Sequence, residues 1–337
     1  MKKIYLIISI IMLSTIIYFY FSININKVQN INVYSARKEK FIHDIIALFY
    51  QETGIKVNLL IDKAPKLLAK LENEKEHTPA DILLTSDIIN IEKAKQKNLL
   101  KTISDPQIIS LVPKQYKDKQ NYWLGISQRS RLIFYNHQLI DGKKIKNYED
   151  LAKPEYHNSI LVRSSNNPYN QALISGFIHY HGIEKTKTLL QKITNNFART
   201  PEGGDTDQLK ALAKGIGKIA IANNYYYKRL LNSDDPILKH YAKKISAIHP
   251  NQNLNGYHVN LSTIAIIKHS KNYEHALKFI SFLLSPKIQK YFVEHNYEES
   301  VNINEAHTIY KADINLINHI YKNAENAIKI AEQVKWQ

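Results

Sequence analysis

Three consecutive tyrosines, Tyr225, Tyr226 and Tyr227, follow Asn224 directly after the run Ile219-Ala220-Ile221-Ala222-Asn223. The apolar run reads as a strand and the tyrosines as the first turn of a helix, the place where ligands collect in α/β sheets. Neighbouring residues on a helix project about 100° apart. Two of the three phenols therefore converge on one point and the third points elsewhere. A phenol ordinarily keeps its proton up to a pH near 10, but a trivalent cation displaces that proton by its own charge. The phenolate left behind is a hard oxygen donor, suited to a hard cation, ferric iron foremost. The chain holds 22 tyrosines, so most are structural or surface rings. The position after a strand is what gives this group its weight.

Other chemistries find little support. There is no cysteine, which excludes disulfides, thiolate metal sites and thiol nucleophiles. The 14 histidines are dispersed without an HExxH spacing, and a lone one such as His258 reads as structural. No GxGxxG, Walker or GxSxG sequence is present. Gly203-Gly204 reads as a turn, and Asp205 and Asp207 as the polar start of a helix. The 46 basic against 30 acidic residues give a net charge of +16. The lysines are spread along the chain rather than gathered on a basic helix or an RNA-binding segment. They read as solvated surface and not as a nucleic-acid footprint.

The elements that would position the tyrosines follow from hydrophobic periodicity. Strand–helix–strand patterns run from a strand at 31–34 through a helix at 39–52, a strand at 55–61, a helix opened by Pro65 and a strand at 81–84. A second such pattern begins after Tyr135, with strands near 160–162 and 219–222 and helices near 172–178 and 205–214. Helices at 272–283 and from Ser285-Pro286 follow. The expectation is an α/β protein of two lobes, 29–133 with 260–337 as the first and 134–259 as the second. Chain crossings near 130–136 and 256–262 would hinge the lobes around a cleft. Residues 1–28 carry Lys2, Lys3 and an apolar run to about Ile23. That is the pattern of an export signal peptide, or of an uncleaved N-terminal membrane anchor, since no Ala-x-Ala site follows.

Several segments, in order, resemble the periplasmic ferric-iron-binding proteins of ABC transporters: Val33-Tyr34-Ser35-Ala36-Arg37, Pro79-Ala80-Asp81-Ile82-Leu83-Leu84-Thr85, Ser127-Gln128-Arg129-Ser130-Arg131, Asn167-Pro168-Tyr169-Asn170-Gln171, Asn223-Asn224-Tyr225-Tyr226-Tyr227 and His258-Val259-Asn260. Further matches lie at Asn195-Asn196-Phe197-Ala198-Arg199 and at Phe282-Leu283-Leu284-Ser285-Pro286. The resemblance spans roughly 30–305, and the tail beyond has no clear part in it. It implies a type II periplasmic-binding-protein fold with a hinged, transferrin-lobe-like cleft. The implied function is capture of Fe(3+) without catalysis and delivery to an inner-membrane ABC permease by a periplasmic monomer, with an N-terminal membrane tether as the alternative to a cleaved leader. The family's tyrosine-rich branch takes iron with a tyrosine after the first strand, one in an Asn-x-Tyr-Asn-Gln segment, and two from a tyrosine run. Here the second matches Tyr169, and the pair matches Tyr225 and Tyr226. The first position departs, since Lys38-Glu39 stands where the family often has His-Tyr. Glu39 is expected to substitute as an oxygen ligand, against the alternative of an ordinary helix-start acid facing solvent. Arg131 matches a cleft arginine of the family and is expected to hold a synergistic anion such as carbonate. Two other functions stay open: a binding protein for phosphate, another anion or a ferric chelate, and a periplasmic enzyme using cleft Tyr and Arg groups.

Overall fold

The computed structural model describes residues 29–302 and 309–336. The segment expected to act as signal peptide or anchor, 1–28, lies outside them. Among the described residues no helix is long and apolar enough to cross a membrane. The strands are β1 (Asn30–Ser35), β2 (Lys56–Ile61), β3 (Ile82–Thr85), β4 (Leu100–Lys101), β5 (Leu124–Asn136), β6 (Ile160–Leu161), β7 (Ile219–Asn223), β8 (Ile245–Ile248) and β9 (Val259–Ile267). Their order is β2-β1-β3-β9-β5-β7-β6, with β4 alongside β9 and β8 alongside β5.

The first lobe is built on parallel β1, β2 and β3, the right-handed strand–helix–strand arrangement that places ligands at the strands' carboxyl ends. β9 runs back antiparallel between β3 and β5. The long strand β5 then changes partners. It pairs with β9 up to Ser130, and with β7 from Arg131 onward. One strand therefore serves both lobes, and the chain returns to the first lobe at Val259.

Local sequence explains the element ends. Thr53 closes the helix His43–Thr53 and Gly54 caps it at φ +67°, a left-handed conformation that costs glycine nothing. Ser285 accepts from the Ile288 amide and Pro286 fills the first helical position of Pro286–Glu294. Gly125 lies where β5 and β9 slip register, and a Cβ there would come within 2.9 Å of Leu261 and of the Tyr116 carbonyl.

Two apolar clusters form the core, and the first continues from the first lobe into the second through Phe134, Leu209 and Ala220. In the first, Phe49 meets Phe279 edge-on at 4.9 Å, over Ile31, Val33, Ile82 and Ile264. In the second, Ile133, Ile160, Ile219 and Leu173 pack with Ala327, Ile330 and Trp336. Burying each of these large side chains contributes about 1.5–3 kcal/mol. The last helix, Ala324–Gln333, thus lies on the second lobe against the helix Pro168–His181. This differs from an assignment of the whole of 260–337 to the first lobe. The reason is the amphipathic face Ala327, Ile330, Ala331 and Val334, which the second lobe's core buries. Trp336 completes the contact, donating from Nε1 to the Arg163 carbonyl at 3.1 Å.

Candidate metal centre

Two helix starts bring the tyrosines together. The helix Asn224–Leu231 begins immediately after β7, so Tyr225 and Tyr226 emerge at the strand's carboxyl end. Asn224 pins this turn to its surroundings. Its Oδ1 accepts from the Ser130 amide at 3.2 Å, and its Nδ2 donates to Glu299 at 2.7 Å. Tyr169 occupies the first turn of Pro168–His181, where Asn167 caps by accepting from the Tyr169 amide at 2.9 Å. Tyr169, Tyr225 and Tyr226 all line one cavity of about 90 Å³, together with Arg37, Arg129 and Glu298. The rings of Tyr225 and Tyr226 lie 4.1 Å apart, centre to centre. Tyr227 turns away. It donates to the Ile245 carbonyl at 2.8 Å and packs on Phe134 at 5.2 Å.

Charge in this cavity is unevenly distributed. Arg37 is buried and paired with buried Glu298 at 3.0 Å. Burial alone would raise the Glu298 carboxyl, but Arg37 and Arg129 outweigh it and hold the group below the usual range. Among the described residues Arg129 makes no salt bridge to a carboxylate, although Glu298 and Asp87 act on it through space. Its Nη2 donates to the Ser86 carbonyl, its Nη1 to the Tyr169 hydroxyl at 3.4 Å, and its guanidinium lies over the Tyr169 ring. Burial works against its charge, but the anionic forms of Tyr169 and Tyr225 and the Glu298 carboxylate more than compensate and raise its pKa. The Tyr225 phenol is pushed well above its ordinary value by burial first, and then by the neighbouring Tyr169 and Tyr226. Tyr226 is raised by burial first, and then by Tyr169 and Asp205. Both phenols are therefore protonated at physiological pH.

The remaining expected residues fall elsewhere. Arg131 does not line the cavity. It is buried behind it, paired with Asp205 at 2.9 Å and bonded to Asn223 and Asn170. Asp205 also accepts from the Asn223 amide at 2.9 Å, so this cluster holds the strand end from which the tyrosines leave. Side chains two apart on a strand share a face, and sequence gave no means to choose between Arg129 and Arg131. Glu39 is exposed, in the first turn of a short 3-10 helix, Glu39–Phe41, and is not among the lining residues; Lys38 and Phe41 are. Glu298 was not anticipated. Glu298 follows a distant helix and carries no local signal.

Among the described residues no three or more His, Cys, Asp or Glu side chains gather into a metal cluster. The donor set that the cleft offers is phenolic, with a cation beside it.

Fold and cleft define a ligand-carrying protein of two lobes, and comparison with known proteins gives the family. Residues 77–313 match the family model of bacterial extracellular solute-binding proteins. Iron uptake protein A1 of Synechocystis is 37% identical over 273 residues, covering 81% of this chain and 76% of that one. A Trichodesmium protein solved with iron and citrate ligands superposes with a TM-score of 0.85 at 36% identity, covering 91% of this chain and all of the other. The ferric binding protein from Campylobacter jejuni matches equally, with a TM-score of 0.85 and 37% identity over 90% of this chain and 99% of that one. The chain belongs to the bacterial extracellular solute-binding proteins, in the ferric-iron-binding family.

Proposed function

We propose that this protein captures Fe(3+) in the interlobe cleft through the phenolates of Tyr169, Tyr225 and Tyr226, and delivers it to an inner-membrane ABC permease. It acts outside the cytoplasm, as a carrier and not as an enzyme. The observation that carries the reading is the meeting of three phenols from two helix starts in one small cavity. Three phenolates balance a trivalent ion, and the Arg37–Glu298 pair cancels itself. Arg129 remains as surplus positive charge. It is the group to hold an anion such as carbonate, or water, in the positions that the three tyrosines leave open, a role that Arg131 cannot share while Asp205 neutralises it. Lys38 stands exposed at the cavity's edge and adds to the attraction for an anion.

Iron-free protein titrated with a ferric salt should turn orange to red as tyrosinate-to-iron absorption appears, and the colour should vanish on adding a chelator. Tyr226→Phe keeps the ring and loses the ligand oxygen. It should abolish most of the band, whereas Tyr227→Phe should leave it. Colourless protein that binds phosphate without iron would replace this reading with that of an anion carrier.

A further inference from the structure

A cavity of about 260 Å³ lies between the helix Pro168–His181, the loop before β9 and the segment Ile314–Asn323. Its walls are mostly apolar, formed by Tyr148, Leu173, Phe177, Leu254 and Leu316. Leu254 is 51% exposed, so the cavity opens to solvent at that rim.

Most polar groups around it are already paired. Tyr180 donates to Asp313 at 2.8 Å, Asn255 donates to the same carboxylate, and His181 meets Glu149 at 2.9 Å. His258 is the exception. It is 4% exposed, it lines the cavity, and among the described residues neither ring nitrogen has a hydrogen-bond partner. The second carboxylate oxygen of Glu149 is also without one. Buried polar atoms are satisfied in the great majority of cases, and leaving one unmet is costly. Gly176 keeps the way to the imidazole open, since a Cβ there would sit 2.8 Å from Leu316 and 3.7 Å from His258 Nδ1.

We propose that this cavity is a second small-molecule site, for an uncharged molecule with an apolar body and one hydroxyl or amide group that pairs with His258. An apolar pocket with one or two convergent polar groups is the usual form of such a site. A neutral imidazole both donates and accepts, which a hydroxyl or amide matches and a hydrocarbon does not. Cations are disfavoured by Arg131, which lies close enough to act on the His258 ring. The site is separate from the tyrosine cleft. His258 directly precedes β9, and its carbonyl accepts from the Arg131 amide at 2.9 Å, at the residue where β5 changes sheets.

The test is a titration of the iron-free protein with phenol, benzyl alcohol and toluene, followed by amide shifts in proton–nitrogen NMR spectra. Phenol and benzyl alcohol should give saturable shifts at Gly176, Leu254 and His258, with toluene weaker by about tenfold, the loss of one hydrogen bond. His258→Leu should erase that preference, and Leu254→Trp at the open rim should block all three probes. Should His258→Leu fail to fold, the ordering of the three probes on the wild type and the Leu254→Trp result decide. Shifts that never saturate, toluene binding as well as phenol, a phenol preference persisting in His258→Leu, or binding unaffected by Leu254→Trp would each overturn the site.

Discussion

Arg129 and Arg131 sit two residues apart on one strand, and both are buried, at 4% and 1% exposed. Their surroundings differ completely. Arg131 meets Asp205 at 2.9 Å and two asparagine oxygens, so its charge is consumed within the fold. Arg129 meets a backbone carbonyl and a tyrosine, so its charge is left for something that is not yet there. Burial therefore does not mark a binding residue; lack of neutralisation does. The second cavity repeats the lesson with a base that is uncharged, where the His258 imidazole is buried without a partner among the described residues.

That contrast yields ranked expectations. The largest effect belongs to Arg131. Arg131→Met leaves Asp205 buried opposite a lost partner and should cost about 3–5 kcal/mol of unfolding free energy, read from urea denaturation. Adding Asp205→Asn should recover a part of it. If Arg131→Met instead unfolds like wild type while iron affinity collapses, the two arginines have been assigned the wrong way round.

Arg129→Gln should do the reverse. The fold should survive, and ferric affinity should fall by about 10–100-fold, the usual range for a group acting from beside the ligands. Competition titration against a chelator measures it, and unchanged affinity would remove Arg129 from the site.

His258 gives a pH dependence. Burial, with a smaller contribution from Arg131, pushes its pKa down to about 3, against about 6.5 in an unfolded chain. The unfolded state then takes up a proton that the folded state refuses. The stabilisation from keeping the ring neutral is complete above pH ~6.5 and drains away as pH falls toward about 3, at up to about 1.4 kcal/mol per pH unit. Tyr148, Glu149, His181 and Asp313 share the cavity wall with it, so the difference between wild type and His258→Leu is the informative quantity. Denaturation at several pH values should show a flatter acid limb for the variant. Parallel limbs would mean that the imidazole is charged in the fold.

The smallest effect belongs to Glu39. It is exposed and outside the cavity lining, so Glu39→Gln should give an iron titration superimposable on that of wild type. A weakened titration would bring the carboxylate into the metal's coordination.

The strand–helix–strand units around β1, β2 and β3 were legible because each is a local pattern with its own boundary signals, such as the helix stop Thr53-Gly54 and the helix-opening Pro65. The tyrosine turn was legible for the same reason, as it follows an apolar strand directly. β5 and β9 were expected only as lobe crossings near 130–136 and 256–262, without strand bounds. Arg129, Ser130 and Arg131 in one, and Asn260, Ser262 and Thr263 in the other, are buried polar residues, which blur the alternation that marks a strand. Their partners lie far away in sequence, as with Arg131 and Asp205 or Arg37 and Glu298. Periodicity carries no information about such pairs. The docking of Trp336 on the second lobe is of the same kind, since an amphipathic helix announces that it will be covered but not by what.

Arg229 leaves the tyrosine-bearing helix and reaches into the first lobe. Its guanidinium lies over the Phe41 ring at 4.0 Å and the Tyr225 ring at 5.0 Å, and it donates to the Asn296 carbonyl at 3.1 Å. Separating the lobes must lift this cation off the ring of Phe41. A desolvated contact of that type is worth up to about 2 kcal/mol, enough to lengthen the closed dwell time by more than tenfold if it is lost before the opening barrier. On the proposed reading this contact acts as a brake on cargo escape, built from Phe41 on the cavity wall and the Tyr225 ring under the same guanidinium. A permease that prises Phe41 from Arg229 would then speed iron release by loosening what packs on Tyr225.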